Sequence, residues 1–78
     1  MSVEFSLSVD ARKMNCPLPI LKMKRAIDTL EIGQNLELIA TDPGSVADVN
    51  AWCRQTKHEL LSEKQEGIEY FFYVKKTH

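Results

Sequence analysis

Apolar and polar residues alternate along the chain with two different periods, and the switches between them mark six elements. Phe5, Leu7 and Val9 alternate with Ser6, Ser8 and Asp10, the period of a strand with one buried and one wet face. Ile20, Met23, Ala26, Ile27 and Leu30 then fall on one arc of a helical wheel, opposite Lys22, Arg25 and Thr29, predicting a helix that ends near Gly33. Leu36 to Thr41 reads as a second strand between Gly33-Gln34-Asn35 and Asp42-Pro43-Gly44. A second helix follows, with Val46, Val49, Trp52, Cys53 and Thr56 inward. Its cap is either Asp42, with Pro43 in the first turn, or Ser45, with Asp48 completing a capping box. Leu60 to Gln65 and Ile68 to Lys76 close the chain as a hairpin through Glu66-Gly67. In the last strand Phe71 and Tyr73 alternate away from Tyr70, Phe72 and Val74, so one set belongs on the outer face of the sheet.

The order βαβαββ predicts an α+β two-layer sandwich, two helices on one face of a four-stranded mixed sheet, with residues 1–78 as a single domain. A chain of 78 residues with 44% hydrophobic and 27% charged positions is too apolar for disorder and too short for two cores. Burying only roughly 60% of its unfolded surface, it has little room for an internal cofactor cavity, so a surface site and no cofactor are expected. No apolar run approaches a membrane span, and the N-terminus lacks the basic and apolar regions of a signal peptide, which together predict a cytoplasmic protein with no membrane partner.

Charge changes the picture more than composition does. The net charge of -1 argues against direct DNA binding by the whole surface, yet residues 11–27 contain no acid and carry Arg12, Lys13, Lys22, Lys24 and Arg25. One of the two cysteines, Cys16, lies inside that basic segment, in the run Cys16-Pro17-Leu18-Pro19. Neither zinc ligation nor a Cys-x-x-Cys dithiol fits the spacing of Cys16 and Cys53. Pro17 suits the first helical position and pushes Cys16 toward N-cap geometry, where helix dipole and open amides favour a thiolate. Because Pro19 has no N–H, the Leu18 amide is the obvious capping donor. A start at Pro19 instead would leave Cys16 just outside the helix, and the sequence leaves both starts open. Arg12, Lys13, Leu18, Pro17 and Pro19 form the expected thiolate-stabilising set. Lys22, Arg25 and the off-arc Leu21 form an expected docking surface, while Lys24 reads as a solvated face. Cys53 sits mid-arc on the inner helix face as a buried structural thiol. His58 reads as a surface residue and His78 as a disordered terminus.

Asp10-Ala11-Arg12-Lys13-Met14-Asn15-Cys16-Pro17-Leu18-Pro19 resembles the signature Asp-x-Arg-Gly-x-x-Cys-Pro-x-Pro of the TusA family of small sulfur carriers, also called SirA-like proteins. Thr41 to Ser45, Trp52 to Thr56, His58 to Leu61 and the closing Tyr70 to Lys76 strand are similar to the family as well. The resemblance implies a βαβαββ fold similar to the C-terminal domain of translation initiation factor 3. It also implies a persulfide carried on Cys16 between a donor, a cysteine desulfurase or rhodanese-like protein, and a thiol-bearing acceptor. Such relays end in tRNA 2-thiouridine, molybdenum cofactor or sulfur-compound oxidation, with tRNA met at most indirectly. Three positions depart from the family pattern: Lys13 and Lys57 replace common glycines, and Asn50 stands where proline is frequent. Two other readings of the residues are a non-catalytic interaction or RNA-binding module and a thiol redox sensor.

Overall fold

The computed structural model describes residues 4–15 and 17–78. Its elements are β1 (Leu7–Ala11), α1 (Leu18–Ile27), β2 (Asn35–Ala40), α2 (Ser45–Thr56), β3 (Glu59–Glu66) and β4 (Glu69–Lys75). They form the expected α+β arrangement, two helices on a four-stranded mixed sheet of order β1-β2-β4-β3. β1 pairs parallel with β2, Val9 beside Leu38, and β4 pairs antiparallel with both β2 and β3. α1 packs on β1 and β2, while α2 packs on β3 and β4.

Alternation on the strands meets helical periodicity at the core. Val9, Ala11, Leu36, Leu38, Ala40, Phe72 and Val74 face Met23, Ile27, Val49 and Cys53, all buried. Ile20, Ala26, Leu30, Val46 and Trp52 pack around this centre. Fully burying a Val, Leu, Ile, Phe or Met side chain is worth roughly 1.5–3 kcal/mol before the entropy of ordering is subtracted, so this thin layer is the main source of stability. Phe71 and Tyr73 lie on the opposite face, as their alternation predicts. There Glu37, on the central strand, accepts hydrogen bonds from Ser8 (2.7 Å) and the Tyr73 hydroxyl (2.8 Å), so a nearly buried carboxylate has its partners. Burial, followed by that carboxylate, pushes the Tyr73 phenol up to about 12.

Several boundaries differ from those expected. The chain bends at Ser6, so Phe5 leaves the alternation and its ring lies 6.0 Å from that of Tyr73 on the open face. α1 ends at Ile27 rather than near Gly33, because Asp28, Thr29 and Leu30 close it with a tight turn in which the Thr29 hydroxyl donates to the Ala26 carbonyl. Neither expected cap holds α2. Gly44 is the N-cap; Asp42 instead accepts the Gly44 N–H, and Ser45 is buried as the first helical residue with no hydrogen-bond partner for its hydroxyl among the described residues. Asn50, standing where a proline is frequent, donates its amide to the Val46 carbonyl and to Glu63, linking α2 to β3.

Lys57, at φ 70°, ends α2 in the left-handed region, its N–H donating to the Cys53 carbonyl. A lysine is strained there where glycine is not. Lys57→Gly should therefore raise stability by roughly 0.5–1 kcal/mol, the removed strain less the greater chain entropy of an unfolded glycine, as read from urea midpoints.

Candidate functional site

The segment between β1 and α1 leaves the sheet at the carboxyl ends of the two parallel strands. Cys16 falls outside the described residues, so the site is defined by what surrounds it in the chain, Arg12 to Asn15 before and Pro17 onward after. Met14 packs against the core, and its N–H donates to the Ala11 carbonyl (3.3 Å), folding the segment back on its strand. Lys13, at φ 66°, occupies the left-handed position where the family pattern has glycine, and its N–H donates to the Thr41 hydroxyl (2.9 Å) at the end of β2.

The helix start lies between the two alternatives. Leu18 is the first helical residue and Pro17 is the N-cap, while Cys16, the cap under one of the two expected starts, lies outside the described residues. Pro17 makes no side-chain capping bond, but its carbonyl accepts from both the Ile20 and Leu21 amides at 3.1 Å. Pro19 is buried and, like Pro17, has no N–H to offer. The Leu18 amide, expected to face the thiol, donates to the Asn15 carbonyl at 2.9 Å. Every N–H of the first turn thus has a backbone partner. What remains to favour a thiolate is the positive end of the helix and the cations nearby.

Those cations are not equivalent. Arg12 forks onto Asp10, Nε to Oδ1 at 3.0 Å and Nη2 to Oδ2 at 3.1 Å, while its Nη1 reaches Glu69 Oε2 at 3.2 Å. The side-chain hydrogen bond from Arg12 leads the causes that hold the Asp10 carboxyl down at about 2, and the two acids raise the guanidinium in turn. Lys22 Nζ donates to the Asp10 carbonyl at 2.6 Å. These residues, with Met14, Thr41 and Ile68, line an open cleft of about 600 Å³. A second groove, about 280 Å³, is lined by Met14, Leu18, Leu21, Lys22 and Arg25, with Leu18 53% and Leu21 50% exposed. A third, about 250 Å³, runs between the helices past Pro17, Ile20 and Trp52. The expected docking residues Lys22, Arg25 and Leu21 therefore share one groove beside the cysteine segment.

Cys53 is buried, and burial pushes its thiol up to about 11. His58 is half-buried and stacks between Trp52 (5.4 Å) and His78 (4.4 Å), its Nδ1 accepting the Thr77 N–H. Burial, then repulsion by His78, lowers its pKa. His78, expected to be disordered, is placed by this stack. No cluster of His, Cys, Asp and Glu among the described residues could hold a metal ion, and none of the described helices is long and apolar enough to cross a membrane.

A two-layer α+β sandwich whose sequence runs Cys16-Pro17-Leu18-Pro19 into its first helix matches a family of small sulfur carriers. The family model "Sulfurtransferase TusA" matches residues 7–76, and the chain belongs to that family. It is 46% identical over 74 residues to the sulfur carrier protein TusA of Allochromatium vinosum, covering 95% of this chain and 97% of that one. The crystal structure of a SirA-like protein from Desulfitobacterium hafniense superposes with a TM-score of 0.80 over 94% of this chain and 100% of that one. At 13% identity it bears on the fold alone.

The two thiols should separate under alkylation. With its pKa near 11, Cys53 is only about 0.1% thiolate at pH 8, so iodoacetamide should leave it unmodified in the folded protein. Its labelling should rise tenfold per pH unit up to about pH 11, read by peptide mass after quenching. Rapid labelling of Cys53 at pH 8 in the folded state would contradict its burial.

Proposed function

We propose that this protein is a sulfur carrier that accepts sulfane sulfur on Cys16 as a persulfide and passes it to an acceptor protein. The observation that carries the reading is the sequence run Cys16-Pro17-Leu18-Pro19, whose Leu18 opens α1 and lines the basic, apolar groove, within a chain of the TusA family. In loading, the Cys16 thiolate attacks the outer sulfur of a donor persulfide. A new S–S bond forms, the donor's S–S bond breaks, and the donor leaves as a thiolate. In delivery an acceptor thiolate attacks the outer sulfur now on Cys16, which departs as a thiolate in turn. Neither step has a net redox change or uses a cofactor. The protein acts as a stoichiometric sulfurtransferase, one component of a relay.

A cysteine desulfurase or rhodanese-like protein fits the donor role, and a thiol-bearing protein the acceptor role. tRNA thiolation, molybdenum cofactor supply and sulfur-compound oxidation are the relays such chemistry serves, in a cytoplasmic setting and with residues 1–78 acting as one domain. Lys13, together with the helix end, favours the thiolate. The groove of Leu18, Leu21, Lys22 and Arg25 fits an acidic partner surface with apolar tips.

Incubation with a persulfide donor should add the mass of one sulfur atom to the wild type and to Cys53→Ser but not to Cys16→Ser, read by intact-mass spectrometry. An adduct surviving in Cys16→Ser overturns the assignment, and a sulfenate in place of the persulfide would favour a redox sensor. Reversing the charges of Lys22 and Arg25 together should slow transfer from a protein donor by roughly tenfold at low salt and flatten its salt dependence, since steering charges act mainly on association. Stopped-flow transfer rates across a salt series read this directly; unchanged rates would remove the groove from the docking role.

A further inference from the structure

We infer that Glu69 is a positioning residue for the cysteine segment, acting through Arg12 across the end of β2, and that Arg12 serves as a tether more than as a cation for the thiol. The inference deepens the sulfur-carrier reading and rests on it only for its meaning, not for its test.

Geometry carries the argument. β2 lies between β1 and β4 in the sheet, so a residue just past β1 and one at the start of β4 are two strands apart. Arg12 spans that gap. Its Nε and Nη2 grip Asp10 on its own strand, its Nη1 reaches Glu69 on β4, and its backbone N–H donates to Asp10 Oδ1 at 3.0 Å. With two carboxylates on one guanidinium, the arm presents no surplus positive charge to a neighbouring thiol. Its product is a fixed position for the first residue of the segment.

That fixing has a purpose at the next residue. Lys13 stands at φ 66°, a conformation that persists in a non-glycine residue only where the surroundings hold it. Its neighbours are held on both sides, Arg12 by Asp10 and Glu69 before it and Met14 by the Ala11 carbonyl after it, and the Thr41 hydroxyl takes its own N–H. Lys22, bonded to the Asp10 carbonyl, ties the same strand end to α1. A glycine at position 13 would adopt this conformation without help. A lysine there makes the segment's shape depend on the tether, and Glu69 is the distant end of that tether. Arg12 and Glu69 are each partly exposed, and exposed ion pairs add little to global stability, so the effect is local.

The experiment uses the full chain in a Cys53→Ser background, comparing Glu69→Gln, Arg12→Gln and the double variant, each also with Lys13→Gly. Amide exchange at Lys13 and Met14 and the pH profile of Cys16 alkylation by iodoacetamide are read alongside the urea midpoint. Glu69→Gln should accelerate exchange at the two amides by about tenfold and change the alkylation plateau severalfold, with midpoint pH and global stability unmoved. The double variant should do no more than Arg12→Gln alone, and Lys13→Gly should abolish most of the Glu69→Gln effect. Additive effects in the double variant, unchanged exchange, or a shift of the alkylation midpoint without faster exchange would each overturn the proposal. Alkylation and exchange need no sulfur donor, so a wild type that fails to take up sulfur defeats the carrier reading while leaving this test intact.

Discussion

Burial of the two inner strands, β2 beneath α1 and β4 beneath α2, is the interaction on which the rest of the molecule depends. Leu36, Leu38 and Ala40 are fully buried, and Met23 and Ile27 from α1 close over them together with Val49 from α2. A chain this short has only enough apolar side chains to build one such layer. Two consequences follow for a site. Little room is left for an interior pocket, and the connection from β1 to α1 emerges where the parallel strands end, at the edge of the covered face. That connection is anchored in the core at both ends, through Ala11 on one side and Pro19 on the other.

The opposite face of the sheet shows the same economy. No helix covers it, yet Tyr73 is buried there, shielded by Phe5 and its strand neighbours, and it donates to Glu37. Placing a carboxylate on the central strand is costly unless its oxygens are bonded, and here both are, by Ser8 and Tyr73. This face is therefore closed by side-chain pairing across β1, β2 and β4, the three strands whose ends also frame the cysteine segment.

Much of this was legible from periodicity. Both helices, all four strands and the division of the β4 side chains between two faces follow from where apolar residues recur, because one buried face imposes one period on each element. The helix start was not, since Pro17 and Pro19 allow two beginnings and the observed one at Leu18 depends on which carbonyls the neighbouring amides find. Nor was the end of α1, which the Thr29 hydroxyl helps to close six residues before Gly33. The contact of Arg12 with Glu69 spans 57 positions and depends on the strand order β1-β2-β4, which no local pattern carries. Arg12 read in isolation was a cation beside a thiol; with its two acids in place it is a brace whose positive charge is more than matched.

The occupied first turn bears on the chemistry proposed for Cys16. A carrier sulfur must act twice, as nucleophile when it is loaded and as leaving group when it is unloaded. Lowering a thiol's pKa makes it a better leaving group and increases its thiolate fraction, but each anion becomes a weaker nucleophile. A full set of capping hydrogen bonds would drive the balance toward departure. In this chain two prolines remove two donors, and Asn15 and Pro17 accept from the Leu18, Ile20 and Leu21 amides. Arg12 is offset by Asp10 and Glu69. For the proposed carrier, stabilisation would then rest on the field of the helix end and the lysines rather than on capping hydrogen bonds. The remaining activation would come from whichever partner covers the groove, excludes water and strengthens those same charges, so that transfer is fast only when donor or acceptor is docked.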